Sequence, residues 1–349
     1  MAAYSILIAD SSERFRAHGL NTLKNEYRVY TAQTGKETLR ILEKRKIDLV
    51  LMDASLSGMS RLELAGRLVR EDRDRPVVVT TARDTNPYIQ YARRHRIWNL
   101  LPKSAVRDSR FLKVFVYKLL TGDIFGPEKY FPRAVRKEIN PDILEGLNAP
   151  SKENRLTDNT LYSLDIPSIN KTGRICEAAA EILINAGAGS VFIQVVEELV
   201  SNALYRAPAQ RSCSLQDEAP LPDYDRKFKP RDRYSLSLGL LDQHAVFSIT
   251  DSHGSLEREE ILYRLERHVT LGEDKLPIGL NDSHGRGLFI TRELLDHLIV
   301  NISPGVKTEI VAVSSLKRGK KQKAVSIHYA AKRPLYPGAA VRASGNEKS

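Results

Sequence analysis

The stretch Asp48-Leu-Val-Leu-Met-Asp53, followed by Ala-Ser-Leu-Ser-Gly58-Met, reads as a buried strand that releases one carboxylate at its C-terminal edge. Open parallel sheets place their ligands at that edge. Three companions stand at matching places. Asp10 ends the run Ile6-Leu-Ile-Ala-Asp10, Thr81 ends Pro76-Val-Val-Val-Thr-Thr81, and Lys103 follows the apolar pair Leu100-Leu101. A carboxylate, a hydroxyl and an ammonium gathered at one sheet edge can accept, hold and sense a phosphoryl group. Strand and helix patterns alternate from Tyr4 to about Leu120, as βα units around a parallel sheet require. The first third of the chain therefore reads as a switch rather than as an enzyme acting on metabolites.

Composition sets the outer bounds. A length of 349 residues suggests two or three domains, and a hydrophobic share of 42% supplies two cores. The two cysteines, Cys176 and Cys213, lie in unrelated settings, which argues against a disulfide framework or a zinc site. No apolar stretch approaches the length of a membrane span. The start, Met-Ala-Ala-Tyr-Ser-Ile-Leu, has no basic region and runs into a strand, so neither a signal peptide nor a membrane partner is expected, and a cytoplasmic setting is. The net charge of +11 is scattered or concentrated in Lys317-Arg-Gly-Lys-Lys-Gln-Lys323 and the C-terminal tail. That pattern reads as solvated charge, with the first segment as a hairpin turn. No nucleic-acid-binding signature accompanies it.

The four edge residues resemble those of a response-regulator receiver domain, expected over residues 1–121 as a doubly wound α/β fold on a parallel five-stranded sheet. The resemblance implies that Asp53 is the phosphoacceptor, that Asp10 and Asp53 hold Mg²⁺, that Thr81 is the switch hydroxyl and that Lys103 is the partner ammonium. It also implies an upstream phosphodonor kinase. The sequence departs from the pattern at Ser11, where a second acid is usual, and at Ser57, Leu100 and Ser104. Hard cations want oxygen ligands and negative charge, so Ser11 weakens the metal site.

Beyond a helix at 108–120, residues 122–157 carry Gly122, Gly126, Pro127, Pro132, Pro141, Gly146 and Pro150 among many charges. This reads as a connector with short helices. A strand is expected at 161–166, helices at 168–186 and 190–206, a loop at 207–232, and strands at 233–241 and 244–251 around the turn Asp242-Gln243. A helix at 256–267, a loop at 270–284 and a helix from Gly285 to about His297 follow. Strands at 298–303, 307–316 and 324–329 close the pattern, and the tail 332–349 is expected to be disordered.

A second constellation lies in this half. Glu198 and Asn202 are four apart and share one helix face. A carboxylate can deprotonate a nucleophile, and an amide oxygen beside it can ligate nucleotide-bound Mg²⁺. Asp251 ends the strand Ala245-Val-Phe-Ser-Ile-Thr-Asp251, before Ser-His-Gly254, where an acceptor can grip an adenine amino group. Gly285-Arg-Gly287 opens a helix whose N–H groups can receive phosphate, and Thr308 starts a later strand. In order and spacing these pieces resemble the Bergerat-fold (GHKL) ATPase domain, an α+β sandwich expected over 158–331, and most of all its anti-sigma-factor serine-kinase branch. The resemblance implies ATP and Mg²⁺ as cofactors, Glu198 as catalytic base, and Asn202, Asp251, Gly254, Gly285, Gly287 and Thr308 as ATP-binding residues, with His253 where the family has its first glycine.

Histidine kinases carry the same ATPase, but no histidine lies between His95 and His244, so a phosphoaccepting hairpin is missing. The expected function is a receiver controlling an ATP-dependent serine/threonine-kinase-like or ATPase domain. Its expected partner is a regulatory protein, an anti-sigma antagonist or sigma-like factor, and a homodimer is among the expected assemblies. The alternatives are a non-catalytic, ATP-dependent binding module and a histidine kinase acting in trans.

Overall fold

The structure, a computed structural model, describes residues 4–57, 63–142, 144, 156–206, 228–229, 232–280, 286–317, 319 and 321–330. The N-terminal part begins with β1 (Ser5–Ala9), α1 (Glu13–Leu23), β2 (Arg28–Ala32), α2 (Gly35–Lys44) and β3 (Leu49–Asp53). It continues with α3 (Glu63–Glu71), β4 (Val77–Thr81), α4 (Ile89–Arg94), β5 (Asn99–Pro102), α5 (Lys103–Val106) and α6 (Ser109–Thr121). Every residue of β1, β3, β4 and β5 is buried. That is why these strands read as continuous apolar runs: a parallel sheet is covered on both faces. Side-chain caps start the helices. Ser12 Oγ accepts from the Phe15 amide at 3.3 Å, Thr34 Oγ1 from Glu37 at 3.2 Å, and Asp108 from Arg110 and Phe111. Gly122, at φ +73°, closes α6 in the left-handed conformation that lets a glycine end a helix.

The second part contains β6 (Val135–Glu138), β7 (Thr160–Asp165), α7 (Ile169–Asn185), α8 (Val191–Ser201), β8 (Tyr234–Leu241) and β9 (His244–Asp251). It ends with α9 (Arg258–Val269), α10 (Arg286–Leu294), β10 (His297–Ser303), β11 (Lys307–Ser315) and β12 (Ala324–Tyr329). The expected β8–β9 turn is present, with Asp242 at φ +46° and Gln243 at φ +63°, the two positive φ values that a tight two-residue hairpin requires. Asp242 is held there by Arg110, at 3.1 Å, and by Arg133.

The twelve strands of the described residues form one sheet, in the order β2-β1-β3-β4-β5-β12-β10-β11-β9-β8-β7-β6. The seam between the two parts is the antiparallel pairing of β5 with β12, Leu100 opposite Val325 and Asn99 opposite Ser326. A helix crosses over it. Phe115 of α6 is fully buried, shares its apolar cluster with Ile299 and Val311, and meets the His328 ring edge-on at 5.5 Å.

Two features differ from the sequence expectation. β11 and β12 are not hairpin partners around 317–323: β12 runs parallel to β10 on the flank away from β11. The basic residues suggested a turn because a crossover between strand-like runs carries the same solvated charge. Residues 135–138, inside the expected connector, form a strand that pairs in parallel with β7. Val-Arg-Lys-Glu is exposed at all four positions, so it has no apolar alternation to announce it.

Truncating the side chain that bridges the seam should cost both parts. Phe115→Ala is expected to lower stability by about 3–5 kcal/mol, the range for deleting a buried phenyl group. Urea denaturation of the full chain checks it.

Candidate functional sites at the sheet edges

At the C-terminal edge of β1, β3 and β5, three side chains meet as the sequence predicts. Lys103 Nζ lies 2.7 Å from Asp10 Oδ2 and 2.8 Å from Asp53 Oδ2, so one ammonium holds two buried carboxylates. Asp10 Oδ1 accepts from the Ser12 amide at 2.8 Å. Asp53 Oδ1 accepts from the amide and the hydroxyl of Ser55, both at 3.1 Å. Burial pushes the Asp10 carboxyl above its ordinary range. Lys103 and the Ser12 amide pull against that shift, and the charge of Asp53 adds to it. The Phe15 ring lies 5.2 Å from Lys103 Nζ and lines its approach. Thr81 ends β4 at the same edge and is buried, with its hydroxyl accepting from the Arg83 amide at 3.0 Å. Its neighbour Thr80 points into the sheet and donates to the Met52 carbonyl at 3.3 Å. Ser11, where a second acid would stand, is exposed.

The second constellation resolves into two groups. In the first, Asn202 Nδ2 donates to Glu198 Oε1 at 2.9 Å, and the Glu198 carboxyl lies against Gly287, where any Cβ would overlap it. The residues expected as base, metal amide and phosphate glycine are thus neighbours where α8 ends and α10 begins. In the second, Asp251 ends β9 directly opposite Thr308 of β11. Asp251 Oδ1 accepts from the amides of His253, at 2.8 Å, and Gly254, at 3.2 Å. Burial raises the Asp251 carboxyl to about 6, against the pull of those amides and of Thr308. Gly254, at φ +56°, lies where a Cβ would collide with the backbone of Ser303, Val306 and Lys307, so it fastens β9 to the β10–β11 turn. His253, in place of a glycine, is buried with Nε2 at 2.9 Å from the Tyr234 hydroxyl. Gly285 lies outside the described residues, as do Cys213, nearly all of the loop 207–232 and the tail 332–349.

Sequence reasoning missed the residues that join the two edges. The β4–α4 loop, which starts just after Thr81, presents Thr85 and Asn86 to Arg292 of α10. Arg292 is fully buried, and burial lowers its guanidinium to about 10. The Thr85 hydroxyl also donates to the Lys323 carbonyl at 3.1 Å, and Lys323 pairs with Glu293. Arginine in the last turn of a helix reads as solvated charge, and only the partner loop reveals otherwise.

The family model described as the response regulator receiver domain matches residues 6–114. The chain is 28% identical over 109 residues to the transcriptional regulatory protein GlrR of Escherichia coli (strain K12), covering 31% of this chain and 24% of that one. It is 33% identical over 79 residues to the heme response regulator HssR of Staphylococcus aureus (strain JH9), covering 22% and 35%. The matches therefore span about a quarter to a third of those relatives' length. Among solved structures, the response regulator TrrA of Thermotoga maritima matches at 30% identity and TM-score 0.30, over 34% of this chain and 99% of that one. The chemotaxis response regulator CheY4 of Vibrio cholerae matches at 22% identity and TM-score 0.31, over 34% and 98%.

The raised Asp251 carboxyl sets a pH dependence. The folded state holds this proton longer than the unfolded chain does, so stability falls as pH rises from about 4 to about 6 and is constant above. A shift of roughly two units corresponds to about 3 kcal/mol. In Asp251→Asn the stability lost between pH 4 and pH 7 should be smaller by about that amount, measured by urea denaturation at both pH values.

Proposed function

Residues 6–114 are a response-regulator receiver domain, and we propose that it accepts a phosphoryl group on Asp53 and uses it to control an ATP-binding, serine/threonine-kinase-like second domain that acts on a partner protein. The observation that carries the first half is Lys103 held between the two carboxylates at 2.7 and 2.8 Å. In phosphoryl transfer an Asp53 oxygen attacks phosphorus, the bond to the donor's leaving group breaks, and that group keeps the electron pair. The donor is an upstream kinase or a small acyl phosphate. Two carboxylates at one edge fit Mg²⁺, which takes one or two protein carboxylates together with phosphate oxygens. Asp10 and Asp53 would hold the ion, which neutralises charge on the transferring group. The product brings two or so negative charges and acceptor oxygens beside Lys103 and Thr81.

The path to the second domain starts at Thr81. A phosphoryl oxygen would accept from its hydroxyl, and the loop that follows carries Thr85 and Asn86 to Arg292. Arg292 lies on α10, whose first turn sets Gly287 against Glu198. The ATPase reading draws its support from the bonded pair Glu198–Asn202, from Gly287 beside them and from Thr308 opposite Asp251. In that reading Glu198 is the base, Asn202 holds Mg²⁺, Asp251 reads adenine, and Gly287 and Thr308 face phosphate. The regulatory partner, of anti-sigma-antagonist or sigma-like type, belongs to the same proposal. A non-catalytic, ATP-gated binding module is the second reading, favoured because a Glu198 oxygen is engaged by the Asn202 amide N–H.

Acetyl phosphate with Mg²⁺ should add one phosphoryl mass to the wild type and none to Asp53→Ala. Ser11→Asp should speed the reaction on the order of tenfold, the scale of one supporting partner at a metal. Intact-mass measurement reads both. Calorimetry with ATP, on wild type and Asp251→Ala, tests the second half: equal affinity in the two proteins would remove Asp251 from the site.

A further inference from the structure

The seam encloses a cleft of about 180 Å³ at the edge of the sheet where β4 and β5 begin, the end opposite Asp53. Both parts line it. The receiver contributes Arg73, Arg75, Arg96 and Asn99, and the second part contributes Arg258 and His328. Lys118 of α6 adds a fifth cation, against the single carboxylate of Asp74. Outside the lining, Glu259 lies 3.9 Å from Arg96, and the charges of Glu309, Glu128 and Asp123 act on Lys118.

Two of the cations, Arg258 and Lys118, are held in place. The Arg258 guanidinium is stacked between the rings of Trp98, at 4.5 Å, and Tyr329, at 4.2 Å. Its faces are covered, and burial lowers its pKa. Among the described residues no hydrogen bond or ion pair reaches its edge. Lys118 donates to the Gly126 carbonyl at 3.3 Å and lies over the Tyr130 ring at 4.4 Å.

Three buried polar atoms on the lining have no hydrogen-bond partner among the described residues: Arg75 Nε, Asn99 Oδ1 and His328 Nδ1. Asn99 and His328 are 3% and 1% exposed. Native structures leave few such groups unmatched, and here three share one cleft. His328 is held neutral by burial, with its pKa well below the usual value and Lys118 adding to the effect. Its Nε2 lies 3.3 Å from the Tyr130 hydroxyl, and in the tautomer in which that nitrogen accepts, Nδ1 carries the hydrogen and is a donor.

Planar guanidinium edges, an ammonium and an imidazole N–H all ask for an oxyanion, and arginine forks suit phosphate. Asn99 Oδ1 is an acceptor, suited to a protonated phosphate oxygen or the alcohol of an ester. Size limits the ligand. Pockets for drug-sized molecules run roughly 300–1,000 Å³, so 180 Å³ takes a phosphate or small phosphomonoester and not a nucleoside triphosphate. We propose that this cleft is a binding site for a small phosphate-bearing anion that ties the receiver to the second domain across the β5–β12 seam. The site is separate from both sheet-edge constellations and does not depend on their function.

Isothermal titration of the full chain with inorganic phosphate, and in a second arm glycerol 3-phosphate, tests this at constant ionic strength with chloride as the reference anion. Saturable heat with at least one probe is expected, and the tighter of the two identifies the source. Arg258→Gln and Arg73→Gln should each weaken binding about tenfold, the scale of one lost charge-assisted contact. Arg73 is exposed, so its replacement keeps the test alive if Arg258→Gln fails to fold. Equal affinity in wild type and Arg73→Gln overturns the proposal. So does the absence of saturable heat with both probes, which would mean that water alone fills the cleft.

Discussion

The pairing of β5 with β12 is the contact on which the rest of the architecture depends. The outer edge of a parallel sheet is a row of unpaired amides and carbonyls, a liability unless covered. Here it is covered from within the chain by a strand that arrives antiparallel, so two α/β halves share one sheet. The pairing is short, but Leu100, Asn99, Val325 and Ser326 are all buried, and α6 lays Phe115 across the join. Burial does most of the work. Exposed pairs across the same boundary, such as Arg96–Glu259 at 3.9 Å, contribute little, typically 0–1 kcal/mol.

The receiver edge that carries Asp53 and the seam are joined by the loop 82–88, whose far end is held by the buried Arg292. A buried guanidinium that loses its partners is costly, because the charge stays and the hydrogen bonds go. The loop and α10 are thereby bound to move together. α4 adds a second tie, since Arg93 lies over the Tyr263 ring of α9 at 4.7 Å and pairs with Glu266.

The receiver half was legible because each of Asp10, Asp53 and Thr81 closes an apolar run, and a buried parallel strand leaves that run unbroken in sequence. Lys103 followed from the same rule. The second half was legible as elements, since β7 to β12 and α7 to α10 fall close to where periodicity puts them. Its topology was not. Ala-Val-Ser-Ile-His-Tyr alternates in the same way whether β12 joins β11 as a hairpin or crosses to β10, and strand partners carry no mark in a single sequence. β6 was invisible for the opposite reason, since its one apolar residue, Val135, is exposed. Of the candidate site residues, Glu198 and Gly287 lie side by side. Gly254 proved to be a backbone contact, and Arg292, Arg258 and His328 gave no signal, because a buried cation is recognised by what surrounds it.

The central claim is that phosphorylation at Asp53 reaches α10 through the 82–88 loop. Amide hydrogen exchange across 286–294 and 324–329, with and without acetyl phosphate and Mg²⁺, tests it directly. Exchange in 286–294 should change in the wild type and stay constant in Asp53→Ala. Unchanged exchange there, in protein whose intact mass shows the phosphoryl group in place, would contradict it.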